Sequence, residues 1–290
     1  MIVDCHTQMW DASARLGRSA SVAESVHADA ARHLEAIGPV DRAIVLGFKS
    51  QYLEAEISNQ FISDYVRRCA DKVVGFAGID PTERDCVDEV RHAQEALGLK
   101  GVTVSPALQN FHPSDTRAMR VYEECAQRNM PVVFELDPRN HYAKLEFARP
   151  MLLDEVAREF PTLRAVIAHF GYPWIDETTV LLAKHPHLYT DIAGLLRQPW
   201  RTYNALMTAH EYGVIGKLLF ASDFPHRKPA ACIEMLYSLN QLSHGTNLPT
   251  IPREQLRGII ERDALALLGI SRAPTPVPRP AAPRFIFDES

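Results

Sequence analysis

Eight times along this chain a run of five to seven mostly apolar residues gives way to a longer amphipathic stretch, and that alternation limits the fold more than any other feature. The runs are Ile2–His6, Ala43–Phe48, Val73–Ile79, Gly101–Ser105, Val132–Leu136, Ala165–His169, Leu188–Ile192 and Leu218–Asp223. Several are apolar on both faces, as parallel strands are when other elements cover both sides of the sheet. Between them the pattern predicts helices over Ser21–Ala36, Asn59–Ala70, Asp85–Ala96, Thr116–Arg128, Met151–Phe160, Thr178–Lys184 and Arg201–Tyr212, then Ala230–Asn240 with Arg253–Leu268. Asp115-Thr116 is an N-cap signal, and Gly98 and Gly213 stand where helices should stop. Eight strands alternating with helices, joined by right-handed crossovers, predict an α/β fold: a single (β/α)8 TIM barrel over residues 1–270. The rival open doubly wound sheet should carry a glycine-rich phosphate loop after its first strand, whereas Thr-Gln-Met-Trp follows His6.

Residues 271–290 break the pattern. Pro274, Pro276, Pro278, Pro280 and Pro283 exclude a helix and predict an extended or disordered tail ending in the apolar Phe285-Ile286-Phe287. With 290 residues and 46% hydrophobic content, the chain can bury a large core as one domain. A net charge of −5 without a basic block argues against nucleic acid as a partner. Five scattered cysteines without a C-x-x-C pair read as reduced thiols in a cytoplasmic protein. No apolar run approaches the roughly 18–20 residues that cross a bilayer, and the N-terminus lacks a secretory signal. The expectation is a soluble protein with no membrane partner; a homodimer is the commonest assembly for such chains.

In a barrel of this kind chemistry gathers at the C-terminal ends of the strands. Those ends carry His6 and Gln8, Lys49, Asp80, Glu135 and Asp137, His169, Asp191 and Asp223. One ionisable residue at a strand end is more often a helix cap, a turn Asp or a satisfied core His. Four of them, His6, Glu135, His169 and Asp223, must meet at one mouth if the strands are placed correctly, and convergent titratable groups in a concavity outline an active site. Loop cations at Lys49, Arg139, His141, Arg197, His226 and Arg227 point to an anionic small-molecule substrate, such as a carboxylate, although any one alone reads as a solubilising charge. Arg139, His141 and His226, with Trp10 as a wall, are the expected substrate contacts; Trp174 and Trp200 are further candidates for walls.

The same stretches resemble the amidohydrolase-related family. Asp4-Cys-His6-Thr-Gln8 resembles its first strand, where Asp or Asn precedes His-x-His. Gly75-Phe-Ala-Gly-Ile-Asp-Pro81 and Leu99-Lys-Gly-Val102 are similar to its third and fourth strands, and Pro131-Val-Val-Phe-Glu135 to its fifth, which normally ends in His. Ala165-Val-Ile-Ala-His169-Phe-Gly171 and Leu188-Tyr-Thr-Asp191-Ile-Ala-Gly194 resemble the sixth and seventh. Leu219-Phe-Ala-Ser-Asp223-Phe-Pro225 resembles the eighth, with its Ser/Thr-Asp-x-Pro motif.

The resemblance implies a site for one divalent ion, zinc or manganese, with His6, Glu135, Asp223 and, weakly, Gln8 as ligands, and His169 beside it as acid/base. Gln8 and Glu135 stand where the family has His, so two mechanisms stay open. With a metal, the ion activates water, Asp223 takes its proton and His169 assists. Without one, as in some lactone-hydrolysing branches, Asp223 deprotonates water directly. The fourth strand ends without Lys, which points away from a lysine-bridged pair of ions. The family implies hydrolysis of a lactone, ester or amide; a non-oxidative decarboxylase is the alternative, and a catalytically inactive binding or scaffold barrel is a third.

Overall fold

The computed structural model describes residues 1–11, 14–15, 17–19 and 28–272. Parallel strands β1 (Val3–Thr7), β2 (Arg42–Leu46), β5 (Val73–Gly78), β6 (Gly101–Val104), β7 (Val132–Phe134), β8 (Ala165–Ile167), β9 (Leu188–Asp191) and β10 (Leu218–Leu219) lie side by side in chain order. Between β2 and β5 an antiparallel hairpin intervenes, β3 (Phe48–Ser50) with β4 (Ala55–Ile57). Past Leu219 the eighth barrel strand continues as single contacts along β1: Cys5 N–H donates to Phe220 O at 2.9 Å, Asp223 N–H to His6 O at 3.2 Å and Gln8 N–H to Phe224 O at 2.9 Å. These bonds close the sheet on itself, giving the (β/α)8 barrel expected from the alternation.

Burial follows the two faces of the strands. In β2, Ile44 and Leu46 join a cluster with Val3, Val74, Phe76, Val133, Val166 and Leu219, from strands all round the barrel, whereas Ala43 and Val45 pack with the helical layer. The inner cluster is completed by Ala264, Leu265, Leu268 and Ile270, so this segment plugs the barrel at the end where the strands begin.

Most helices form where the periodicity places them, including Asn59–Arg68, Cys86–Glu95, Thr116–Gln127, Leu153–Glu159 and Pro199–Glu211. Asp115 caps its helix by accepting from Arg117 N–H at 2.9 Å, and Gly98 and Gly213 sit at φ +71 just past helix ends. The predicted helix Ser21–Ala36 is helical over Ala30–Ala36, starting at an Asp29 cap; residues 20–27 lie outside the described residues. The proline-rich tail likewise falls outside them from residue 273 onward.

The second barrel strand stops two residues short of its expected end. A Cβ on Gly47 would lie 2.4 Å from Gly78 N and 2.9 Å from Phe76 O, so the chain passes too close to β5 for a side chain and turns into the hairpin. Among the described residues no helix is long and apolar enough to cross a membrane.

Candidate active site

His6 leaves the end of β1 fully buried. Its Nδ1 is 3.0 Å from Asp191 Oδ2, and because a carboxylate only accepts, that nitrogen carries the hydrogen. In the neutral ring Nε2 is then a bare lone pair, and it points at Glu135 Oε2, 3.3 Å away. His169 repeats the arrangement: Nδ1 lies 3.0 Å from the carbonyl of Ala193, which can only accept, and Nε2 lies 2.9 Å from Glu135 Oε1. The backbone holds His169 at φ +56 with Phe170 at φ +53, a left-handed pair that for Phe carries a real steric cost. Asp191 ties this turn down by accepting from the His169 and Ala193 N–H groups at 2.9 and 3.0 Å.

Asp223 is also left-handed, at φ +64, where Asp is tolerated better than most residues. Its Oδ2 lies 3.4 Å from Arg197 Nη2. The first and eighth strands are stitched by Asp4, which accepts from Ser222 N–H at 2.9 Å; burial raises the Asp4 carboxyl to about 6.

Electrostatics follow from this packing. Burial alone would lower the pKa of His169, but Glu135 and then Asp223 outweigh it and hold the ring well above its usual value. At His6 burial is likewise outweighed by Asp191 and Glu135, for a net upward shift. Burial would raise Asp191, yet His6 and His169 bring it below the usual carboxylate value.

Ligand atoms of His6, His169 and Asp223 all lie within 4.8 Å of one another. Glu135 sits between the two imidazoles, yet neither of its oxygens, nor Asp223 Oδ2, accepts a well-aligned hydrogen bond. Both Nδ1 hydrogens are committed elsewhere, so a ring can donate toward Glu135 only when it carries a second proton, the form that Glu135 and Asp223 favour at His169. Buried carboxylate oxygens facing bare imidazole nitrogens repel unless a proton or a cation lies among them. The donor set, two imidazoles and two carboxylates, suits zinc or manganese.

Above this cluster opens a cavity of about 440 Å³, lined among others by Gln8, Trp10, Arg15, Arg139, Arg197 and His226. Arg139 enters it braced by Asp137, which accepts at 2.7 Å from both Nε and Nη2. Other residues singled out in the sequence lie elsewhere. His141 is exposed outside the cavity against Tyr142, and Lys49 is drawn off by Glu83 and Glu89, at 2.5 and 3.0 Å. Arg227 donates to the carbonyls of Leu196 and Ala231. Trp174 lies under Arg149, and Trp200 is exposed and stacked on Tyr203. Arg15, paired with Glu56, had no sequence signal: it comes from an irregular segment that pairs with β4.

An α/β barrel with imidazoles and carboxylates converging at the C-terminal mouth defines the class. The amidohydrolase family model matches residues 3–270, and the chain belongs to that family. A comparison with curated proteins found no match. Among solved structures, a TIM-barrel protein from Bordetella bronchiseptica is similar, at 19% identity over 92% of this chain and 99% of that one, with a TM-score of 0.72. A probable 2-pyrone-4,6-dicarboxylic acid hydrolase from Acinetobacter baumannii, with citric acid bound, matches at 16% identity, covering 93% and 99%, with a TM-score of 0.67. A dihydroxybenzoic acid decarboxylase from Polaromonas sp. JS666, with manganese and 2-nitroresorcinol, matches at 13% identity, covering 92% and 96%, with a TM-score of 0.65.

Proposed function

We propose that the protein is a hydrolase that opens a lactone, ester or amide bond in a small carboxylated substrate, with one divalent ion held by His6, Glu135 and Asp223 and His169 beside it as acid/base. The observation that carries this reading is the convergence of the buried Glu135 and Asp223 carboxylates on the two imidazoles, with no well-aligned hydrogen bond to either Glu135 oxygen or to Asp223 Oδ2. The ion, when bound, polarises a substrate oxygen and acidifies water. Asp223 accepts the proton from the attacking water, with Arg197 at 3.4 Å balancing its charge. His169, its Nδ1 proton fixed on Ala193 O, carries a second proton on Nε2, the form that Glu135 and Asp223 favour, and delivers that proton to the leaving group. Arg139, held flat by Asp137, and His226 at the rim orient the substrate carboxylate; Gln8 and Trp10 line the approach.

Decarboxylation is the second reading. It is supported by the contact of His169 Nε2 with Glu135 at 2.9 Å, since an imidazolium so paired can protonate the carbon that loses CO2. Five free thiols suit a cytoplasmic setting. The test is elemental analysis of purified protein with turnover of lactones, esters and aromatic carboxylic acids. About one zinc or manganese per chain, reduced in Glu135→Gln, with turnover abolished in Asp223→Asn, is the expected result. CO2 release without hydrolysis would replace the first reading by the second. Neither metal nor turnover would leave a binding barrel.

A further inference from the structure

The cavity has two unlike ends. One is the cluster of imidazoles, carboxylates and arginines; the other is an apolar wall of Phe48, Leu53, Ala55, Ile57 and Leu108. The hairpin β3–β4 supplies four of these, and it is pinned in place. Ser50 Oγ donates to Leu108 O at 2.6 Å and accepts from Leu53 N–H at 3.0 Å, while Gln51 N–H donates to Asp80 at 2.7 Å and Gln109 Nε2 to Lys49 O at 2.5 Å. Leu53 and Ala55 are buried from behind, so the wall has little room to collapse inward or retreat.

Size then matters. A benzene ring is accommodated by a cavity of about 150 Å³. A single-ring carboxylate would therefore leave more than half of the 440 Å³ unfilled, and the unfilled part would be the apolar end, where water finds few partners.

We propose that the substrate carries, besides its carboxylate, an apolar arm of about a second ring's bulk that lies under the β3–β4 hairpin. This rests on the carboxylate reading above and extends it: the arginine end sets charge, and Phe48, Leu53 and Ile57 set the length and width of the arm. The hairpin stands at the point where Gly47 diverts the second barrel strand, so specificity is carried by an insertion rather than by the catalytic strands.

Calorimetric binding of phenylacetate, 4-phenylbutyrate and 6-phenylhexanoate to the full-length protein tests this without turnover. Affinity should rise by roughly fourfold for each methylene buried until the chamber is full. Ile57→Ser should flatten that dependence while leaving phenylacetate affinity within about twofold; Phe48→Ser, at a half-buried position, serves if Ile57→Ser does not fold. Equal affinity across the series, or an unchanged length dependence in both variants, overturns the apolar arm and leaves the carboxylate reading standing. Failure of every acid to bind overturns the carboxylate reading and the arm with it.

Discussion

Acidification should weaken this protein through a residue outside the cavity, His33. Its ring is fully buried, with Nδ1 2.7 Å from the Tyr65 hydroxyl and Nε2 2.9 Å from Thr7 Oγ1. Thr7 donates its hydroxyl to Ile44 O at 2.7 Å, so its oxygen accepts from His33 Nε2–H and Tyr65 O–H donates to Nδ1. Every proton in this chain is placed for a neutral imidazole. Burial lowers the His33 pKa from 6.5 to about 4. The folded state thus binds fewer protons than the unfolded state between those values, so the stability is present above pH 6.5 and lost as pH falls toward 4. The gap corresponds to about 3 kcal/mol in full, of which about 2 kcal/mol is gone by pH 5. Urea unfolding of wild type and His33→Gln at pH 7.5 and pH 5 isolates this share. The stability difference between the two proteins should shrink by about 2 kcal/mol on going to pH 5. A difference that is the same at both pH values would refute the assignment to this ring.

Other perturbations address the site and its scaffold. Asp191→Asn should shift His6 toward the Nε2–H tautomer, visible in the ring 15N shifts of the metal-free protein, and weaken metal affinity by about 10- to 100-fold; unchanged shifts would remove Asp191 from that role. Arg139→Met, at a partly exposed side chain, should weaken phenylacetate binding about tenfold with little change in unfolding midpoint, as loss of one charge-assisted contact predicts. Leu265→Ala, in the plug at the far end of the barrel, should cost about 2–4 kcal/mol in urea unfolding while metal content stays the same. Gly47→Ala should destabilise by about 3 kcal/mol, because the added methyl meets Gly78 N at 2.4 Å.

The barrel was legible because apolar runs and amphipathic stretches report burial directly, and the polar residue after most runs marked the neighbourhood of a strand end, though the second strand stops at Leu46 rather than Phe48. Asp191 and Asp223 illustrate what that leaves out: both close strands, but only packing shows that Asp191 orients two histidines while Asp223 leaves one oxygen without an aligned hydrogen bond, facing Arg197. Lys49 looked equivalent to Arg139 in sequence, and the difference is which acids stand nearby, whereas His141 is set apart by lying exposed against Tyr142. The hairpin did leave a trace. Phe48-Lys-Ser and Ala55-Glu-Ile pair in register, Phe48 opposite Ile57 and Lys49 opposite Glu56, but three-residue strands are too short for periodicity to separate from loop.

The bonds joining β1 to the eighth strand carry a consequence for biogenesis. His6 emerges from the ribosome at the start of synthesis and Asp223 more than two hundred residues later. Because they meet only across the closing seam, any nascent or truncated chain that lacks the eighth strand lacks Asp223 and the full donor set. Occupancy of the site by a ligand therefore favours the sealed barrel over every partly built one, and makes full-length chains the ones that a metal or substrate protects.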